Sequence, residues 1–229
     1  WRSQLLQNTL IQKHGTTVHQ GLLSGLNFLD HSSEGCHVAK LLGTYEQPLQ
    51  GPLERLLNKG KYRKLLNIGC AEGYYAVGLA RKMPQVTSFA YDTDHHAREA
   101  CKILAIRNGV EDRVIIDKLF THAEFSKFSD QETLVFCDIE GGEVELLDPA
   151  IAPDLLKMDI IVESHECLVP GVTELLIGRF SSTHEIRRID DSGMRLLEAM
   201  PTWFYKLAHL DQLLSVWEWR SGPTPWLVM

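Results

Sequence analysis

The chain has 229 residues, 44% of them hydrophobic, with a formal net charge of −7 and a pI near 5.8. That length fits one domain with an elaboration, and the composition is that of a globular protein. The acidic balance excludes a general nucleic-acid-binding or anionic-membrane-binding surface, which needs a basic face. No apolar run approaches the ~20 residues that span a bilayer, and no signal segment is visible. Five cysteines (Cys36, Cys70, Cys101, Cys137, Cys167) are widely separated with no CxxC pair. An odd count at irregular spacing predicts reduced thiols and a cytoplasmic location.

Residues 1–30 read as helical, with Leu5, Leu6, Leu10 and Ile11 as the buried candidates. Residues 31–51, richer in His, Ser, Gly, Gln and Pro, predict a loop. Residues 1–60 are thus expected to form an N-terminal helical segment with a lid, ahead of a core at 61–229. Pro52 is placed to start a short helix through Leu57, stopped by Gly60. Strands are predicted at Lys64–Ile68, Thr87–Tyr91, 113–117, Thr133–Cys137, Asp159–Glu163, 185–189 and 226–229. Helices are predicted at Tyr74–Lys82, after an N-cap at Asp94 as far as Asn108-Gly109, around 150–157, and at 172–179. Strands alternating with helices imply a mostly parallel sheet covered on both faces. An aromatic-rich insertion at about 191–225 carries Trp203, Phe204, Tyr205, Trp217 and Trp219. Its aromatics predict a helix at about 204–219 packed on the sheet edge, with a substrate-pocket lining as the alternative.

The segment Leu65-Leu66-Asn67-Ile68-Gly69-Cys70-Ala71-Glu72-Gly73-Tyr74-Tyr75 reads as a buried strand, a small-residue turn and a helix start. Asp92 follows Gly69 by 23 positions, at the end of the next apolar run. This is the layout of a βαβ unit that holds a nucleoside-type cofactor: small residues let the backbone approach the ligand, and the carboxylate takes the ribose hydroxyls. A dinucleotide fingerprint would put Gly69, Ala71 and Tyr74 at its three glycine positions, and a tyrosine at the third obstructs close helix–strand packing. Glycines at 69 and 73 with Ala71 between resemble instead the first motif of class I S-adenosylmethionine (SAM) methyltransferases. Asn67 stands where that motif usually has an acid, keeping a hydrogen-bonding group but not the charge.

In open parallel sheets, ligands bind beyond the carboxyl ends of the strands. Polar groups gather there: Gly69 after the first strand, Asp92 after the second, Asp138-Ile139-Glu140-Gly141-Gly142-Glu143 after the fourth, and Glu163-Ser164-His165-Glu166 at the fifth. The run from Phe136 to Glu143 resembles the D-x-E-G-x-E signature of the FkbM-like SAM methyltransferases, as do Asp92-Thr93-Asp94 and Asn108-Gly109. The resemblance covers about 65–189. It implies an α/β fold: a Rossmann-like, doubly wound, mostly parallel seven-stranded sheet with helices on both faces and an antiparallel last strand. It also implies SAM as cofactor and S-adenosylhomocysteine (SAH) as product. Asn67, Gly69, Cys70, Ala71, Gly73, Tyr74, Asp92, Thr93 and Asp138 would bind the cofactor. Asp138 would lie beneath the methionine end and the reacting methyl. Tyr45 or Glu46, in the segment before the core, would reach the methionine amino group, with a plain connecting loop as the alternative.

His165 is the catalytic candidate alongside Asp138, because a hydroxyl nucleophile benefits from a base near neutral pKa. Asp94 is expected to be a helix cap, and Glu140 and Glu143 can serve a helix N-terminus. His95, His96 and His184 read as surface residues. Asp138, Glu163, His165 and Glu166 match no standard ligand spacing, so no metal is expected. The leading expectation is a SAM-dependent methyltransferase acting on a small-molecule or sugar-like acceptor, at a hydroxyl, with no nucleic-acid or membrane partner. Two alternatives stay open: a non-catalytic SAM-fold interaction protein, kept alive by Asn67, and a nucleotide-cofactor oxidoreductase, disfavoured by Tyr74.

Overall fold

The computed structural model describes residues 2–33, 35–130, 132–197 and 200–229. Seven strands form one sheet: β1 (Lys64–Ile68), β2 (Thr87–Tyr91), β3 (Val114–Asp117), β4 (Thr133–Cys137), β5 (Asp159–Glu163), β6 (Arg187–Ile189) and β7 (Trp226–Val228). Their order is β3-β2-β1-β4-β5-β7-β6. The first five are parallel, and β7 runs antiparallel between β5 and β6. The order reverses between β1 and β4, where Ile68 pairs with Cys137. The residues that follow, Gly69 and Asp138, are therefore neighbours at the switch point.

Successive strand residues feed opposite faces, as the two-residue period dictates. Leu65, Leu134, Phe136, Ile161 and Trp226 join one core layer, with the helices α4 (Tyr74–Lys82) and α5 (His95–Arg107). Leu66, Ile68, Val135, Cys137, Ile160, Val162 and Leu227 join the other, under α7 (Val172–Phe180) and the short α6 (Glu143–Leu146). Each fully buried Leu or Phe here contributes roughly 1.5–3 kcal/mol. Asp94 caps α5 as expected, accepting from the His96 amide at 2.9 Å.

The N-terminal segment departs from its expectation. After α1 (Arg2–His14), which buries Leu6 and Leu10 but leaves Leu5 exposed, helices α2 (His37–Leu42) and α3 (Gln47–Leu57) occupy much of the predicted loop. Tertiary burial outweighs the local polar composition: every residue of α2 is buried, and Leu49, Leu53, Leu56 and Leu57 of α3 join the first core layer. The proline that opens α3 is Pro48, in its first turn, and Pro52 lies inside the helix. The predicted helix at 150–157 is only a 3-10 turn, Pro153–Lys157. The predicted helix at 204–219 breaks into a 3-10 turn at Phe204–Lys206 and α8 (His209–Val216). Phe204 and Met200 pack on Leu10, Val38 and Leu42, joining the insertion to the N-terminal segment. Trp217 and Trp219 do not pack inside. They stack on each other at 4.5 Å and are about half exposed.

Candidate active site

The turn after β1 has left-handed backbone at three alternate positions: Gly69 (φ 78°), Ala71 (φ 46°) and Gly73 (φ 90°). A Cβ on Gly69 would lie 1.6 Å from the Asp138 carbonyl oxygen, and one on Gly73 2.6 Å from Cys101 Sγ. Only glycine fits at these two positions, which is the physical content of the spacing seen in the sequence. Ala71 tolerates its strained φ because Asp92 holds it: the Ala71 amide donates to Asp92 Oδ2 at 2.8 Å. The Asp94 amide donates to the other oxygen at 2.9 Å. Asp92 thus joins the first two strand ends and still has lone pairs for a further donor.

The turn opens onto a cavity of about 510 Å³, whose walls include Gly69, Asp92, Thr93, Phe120, Asp138 and Ile139. That is the size range of cofactor sites. A narrower slot beside it is walled by Lys40, Tyr45, Asn67, Cys70, Ala71, Tyr74, Tyr75 and Phe136. Asn67 is buried here. Its amide donates to the Phe136 carbonyl at 3.3 Å, and its Oδ1 has no hydrogen-bond partner. A buried acceptor without a donor is costly unless a ligand supplies one. A third cavity, about 180 Å³, lies on the far side, between Glu163, His165, Glu218, Trp219 and Arg220. Asp138 borders all three spaces.

The two catalytic candidates, Asp138 and His165, lie side by side, and more acids surround them. His165 is 5% exposed, and its Nδ1 lies 2.9 Å from Glu143 Oε1. Its Nε2 lies 3.5 Å from Asp138, 3.6 Å from Glu140 and 3.7 Å from Glu163. Burial pulls the imidazole pKa down, but the Glu143 hydrogen bond and the charges of Glu163, Glu143 and Glu140 outweigh it, so the pKa is raised. Glu143 starts α6 and is fully buried, whereas Glu140, at φ 55°, is mostly exposed. Glu166 turns away and caps α7 through the Gly171 and Thr173 amides. His95 and His96 are exposed as expected, but His184 is half-buried and bonds the Met158 carbonyl.

Two side-chain networks at the site escaped the sequence reading. Lys40 Nζ and Glu72 Oε1 form an ion pair at 2.6 Å with almost no exposure. Ser32 and Ser33 also donate to Glu72. Burial opposes ionisation of Glu72, but Lys40 and the serines outweigh it and hold its pKa at about 2. On the other side, Arg220 bridges Glu46, Glu163 and Glu218, and Tyr75 donates to Glu46 at 2.5 Å. Burial, then the charge of Glu163, raises the Glu46 pKa to about 8, against the opposing pull of Arg220. Tyr45 does border the slot, but Glu46 is committed to this network. Lys40 and Glu72 lie 32 positions apart, and Glu46 and Arg220 lie 174 apart.

No family model matches the sequence, and no curated protein resembles it closely enough to count as a match. Solved structures do resemble it. Cofactor-bound Rv0187 from MTB superposes with a TM-score of 0.53 at 17% identity, covering 80% of this chain and 78% of that one. The O-methyltransferase TomG from Streptomyces achromogenes, in complex with SAM, gives 0.51 at 15% identity, covering 79% and 78%. A human methyltransferase 10 domain containing protein gives 0.52 at 12% identity, covering 99% and 93%. Together with the strand order and the antiparallel β7, these likenesses show that the chain has the Rossmann-like fold of the class I SAM-dependent methyltransferases.

Proposed function

We propose that this chain is a SAM-dependent methyltransferase of the FkbM-like kind, acting on a small-molecule or sugar-like acceptor at a hydroxyl. The observation that carries this reading is the strained turn at 69–73, braced by Asp92 and open to the 510 Å³ cavity at the switch point of the sheet. The residues present fit SAM. Asp92 and Thr93 would take the ribose, and the turn gives close backbone approach. The unpartnered Asn67 Oδ1 is an acceptor for an ammonium group in the slot walled by Cys70 and Tyr74. Lys40 and Tyr45 cover that slot from the N-terminal segment, the role proposed for it as a lid.

Bound SAM supplies an electrophilic methyl group on a positively charged sulfur. The protein's part is alignment and charge. Asp138, at the meeting of the three cavities, favours positive charge there. Asp138 and His165 face the 180 Å³ cavity, where an acceptor would present its nucleophile. Trp219, backed by Trp217, forms a flat wall of that cavity, which suits a ring-bearing acceptor. The small volume and the acidic walls favour a small molecule over a nucleic acid or a membrane surface. Among the described residues, no helix is long and apolar enough to cross a membrane. Five free cysteines fit the cytoplasmic setting we propose.

Thermal shift with SAM, SAH and NAD tests the reading. Saturation at 100 times the dissociation constant adds about 2.7 kcal/mol of stability. SAM and SAH should raise Tm and NAD should not. A rise with NAD alone would overturn the proposal.

A further inference from the structure

We propose that the acceptor is an amphiphile. Its polar ring enters the 180 Å³ cavity, and an apolar chain carried on that ring leaves over Trp219 and Trp217 onto the outer face of α8. This rests on the reading of that cavity as the acceptor site. The track for the chain is made by Leu168, Trp219, Trp217, Leu213 and Leu210, which are between 47% and 62% exposed.

The segment Trp217-Glu218-Trp219-Arg220 alternates outward and inward side chains. Glu218 is buried, with its carboxylate against Arg195 and Arg220 and its carbonyl accepting from Cys36 Sγ at 2.8 Å. Arg220 is tied in turn to Glu163 and Glu46. These anchors hold the chain on both sides of Trp219, whose φ of 59° is strained for a bulky residue. The two indoles are thereby fixed at the surface, stacked at 4.5 Å and 14°. Helix α8 continues the track. Its Ser215 is buried and its Asp211 pairs with Arg2 of α1, so that face is turned inward. Leu210 and Leu213 are exposed one turn apart, and Trp217 follows Leu213 by four positions. From 210 to 217 the track runs roughly 10 Å.

Exposed apolar side chains gathered in one place mark a surface that something covers. Continuity with the cavity identifies the occupant: Leu168 and Trp219 belong both to its wall and to the exposed apolar track. The cavity holds about 180 Å³, below the ~300–1,000 Å³ of pockets that enclose a whole small ligand, so an acceptor seated there extends beyond it. Glu163, His165 and Arg220 offer donors and acceptors to a polar ring inside, and the way out is apolar. Five side chains fall short of the about 20–30 residues a side of a stable protein interface. An anionic bilayer is disfavoured by the net charge of −7 and by exposed Glu140 at the cavity wall.

The chain lies away from the reacting atoms and is held equally in the ground and transition states. Its length therefore acts on acceptor affinity and KM, with kcat unchanged. A methylene taken fully out of water changes affinity about fourfold, and one covered on a single side about twofold.

Calorimetric titration of butyl, hexyl and octyl β-D-glucosides into the protein, below their micelle-forming concentrations, tests this. Affinity should rise about twofold per methylene, or about 10- to 20-fold from butyl to octyl. Leu210→Ser combined with Leu213→Ser, both at surface positions that keep the fold, should flatten that rise and leave butyl glucoside binding unchanged. Leu175→Ser, on the exposed side of α7, should leave the whole series unchanged. Absence of binding, equal affinity along the series, or a rise retained in the double variant would overturn the proposal. Self-association in sedimentation, or flotation with phosphatidylcholine vesicles, that the double variant loses while no chain-length dependence exists would assign the face to a second copy or a bilayer and overturn it too. SAM binding without chain-length dependence removes the amphiphile and leaves the methyltransferase reading standing. Chain-length dependence without SAM binding does the reverse.

Discussion

The buried pair Lys40–Glu72 makes acid stability a readout of how the N-terminal segment is held to the glycine turn. Glu72 is the fourth residue of that turn, and Lys40 lies on α2. The Glu72 carboxyl titrates at about 2 in the folded chain against an ordinary 4.5. That difference corresponds to about 3 kcal/mol of stability. Because the folded pKa is the lower one, this stability is fully present well above pH 4.5 and is lost as pH falls toward 2. Of about 3 kcal/mol present at pH 7, about 2 is lost by pH 3. Glu72→Gln keeps the shape but removes the titration. Urea unfolding of both proteins at pH 7, 5, 4 and 3 isolates the effect, since every other acid is common to both. The wild type should lose about 2 kcal/mol more than the variant between pH 7 and pH 3. Parallel pH curves would refute the pairing as described.

Gly69→Ala should abolish SAM binding or folding, since its Cβ would strike the Asp138 carbonyl, whereas Gly178→Ala on α7, which meets nothing within 4 Å, should add about 0.5–1 kcal/mol of stability by urea unfolding. His165→Ala should lower turnover far more than SAM affinity in steady-state kinetics, because His165 faces the acceptor cavity and borders neither space assigned to the cofactor.

The sheet from β1 to β5 was legible because its signals are local. Apolar runs are bounded by turns, Asp94 caps its helix, and the left-handed positions demand small residues at 69, 71 and 73. The strand-end rule also assigns Asp92, Asp138 and His165 to one edge of the sheet. Helix α2 was illegible because its six residues are buried by contacts distant in sequence, against a polar local composition. Pro48 and Pro52 misled for a related reason, since α3 carries a proline in its interior as well as at its start. Glu140 and Glu143 read as acids that can serve a helix N-terminus, whereas the acid that caps α7 is Glu166. What Glu143 does instead depends on α6 lying against the end of β5, and no spacing along the chain encodes that.

Calorimetric titration of SAM into the wild type and Asp92→Ala tests the central claim most directly. The carboxylate that braces Ala71 is assigned to the ribose, and a hydrogen bond to a charged group is worth about 1.5–3 kcal/mol. The account predicts one SAM per wild-type chain and affinity about 10- to 150-fold weaker in a folded Asp92→Ala. Absence of SAM binding to the wild type, or equal affinity in the two proteins, would contradict it.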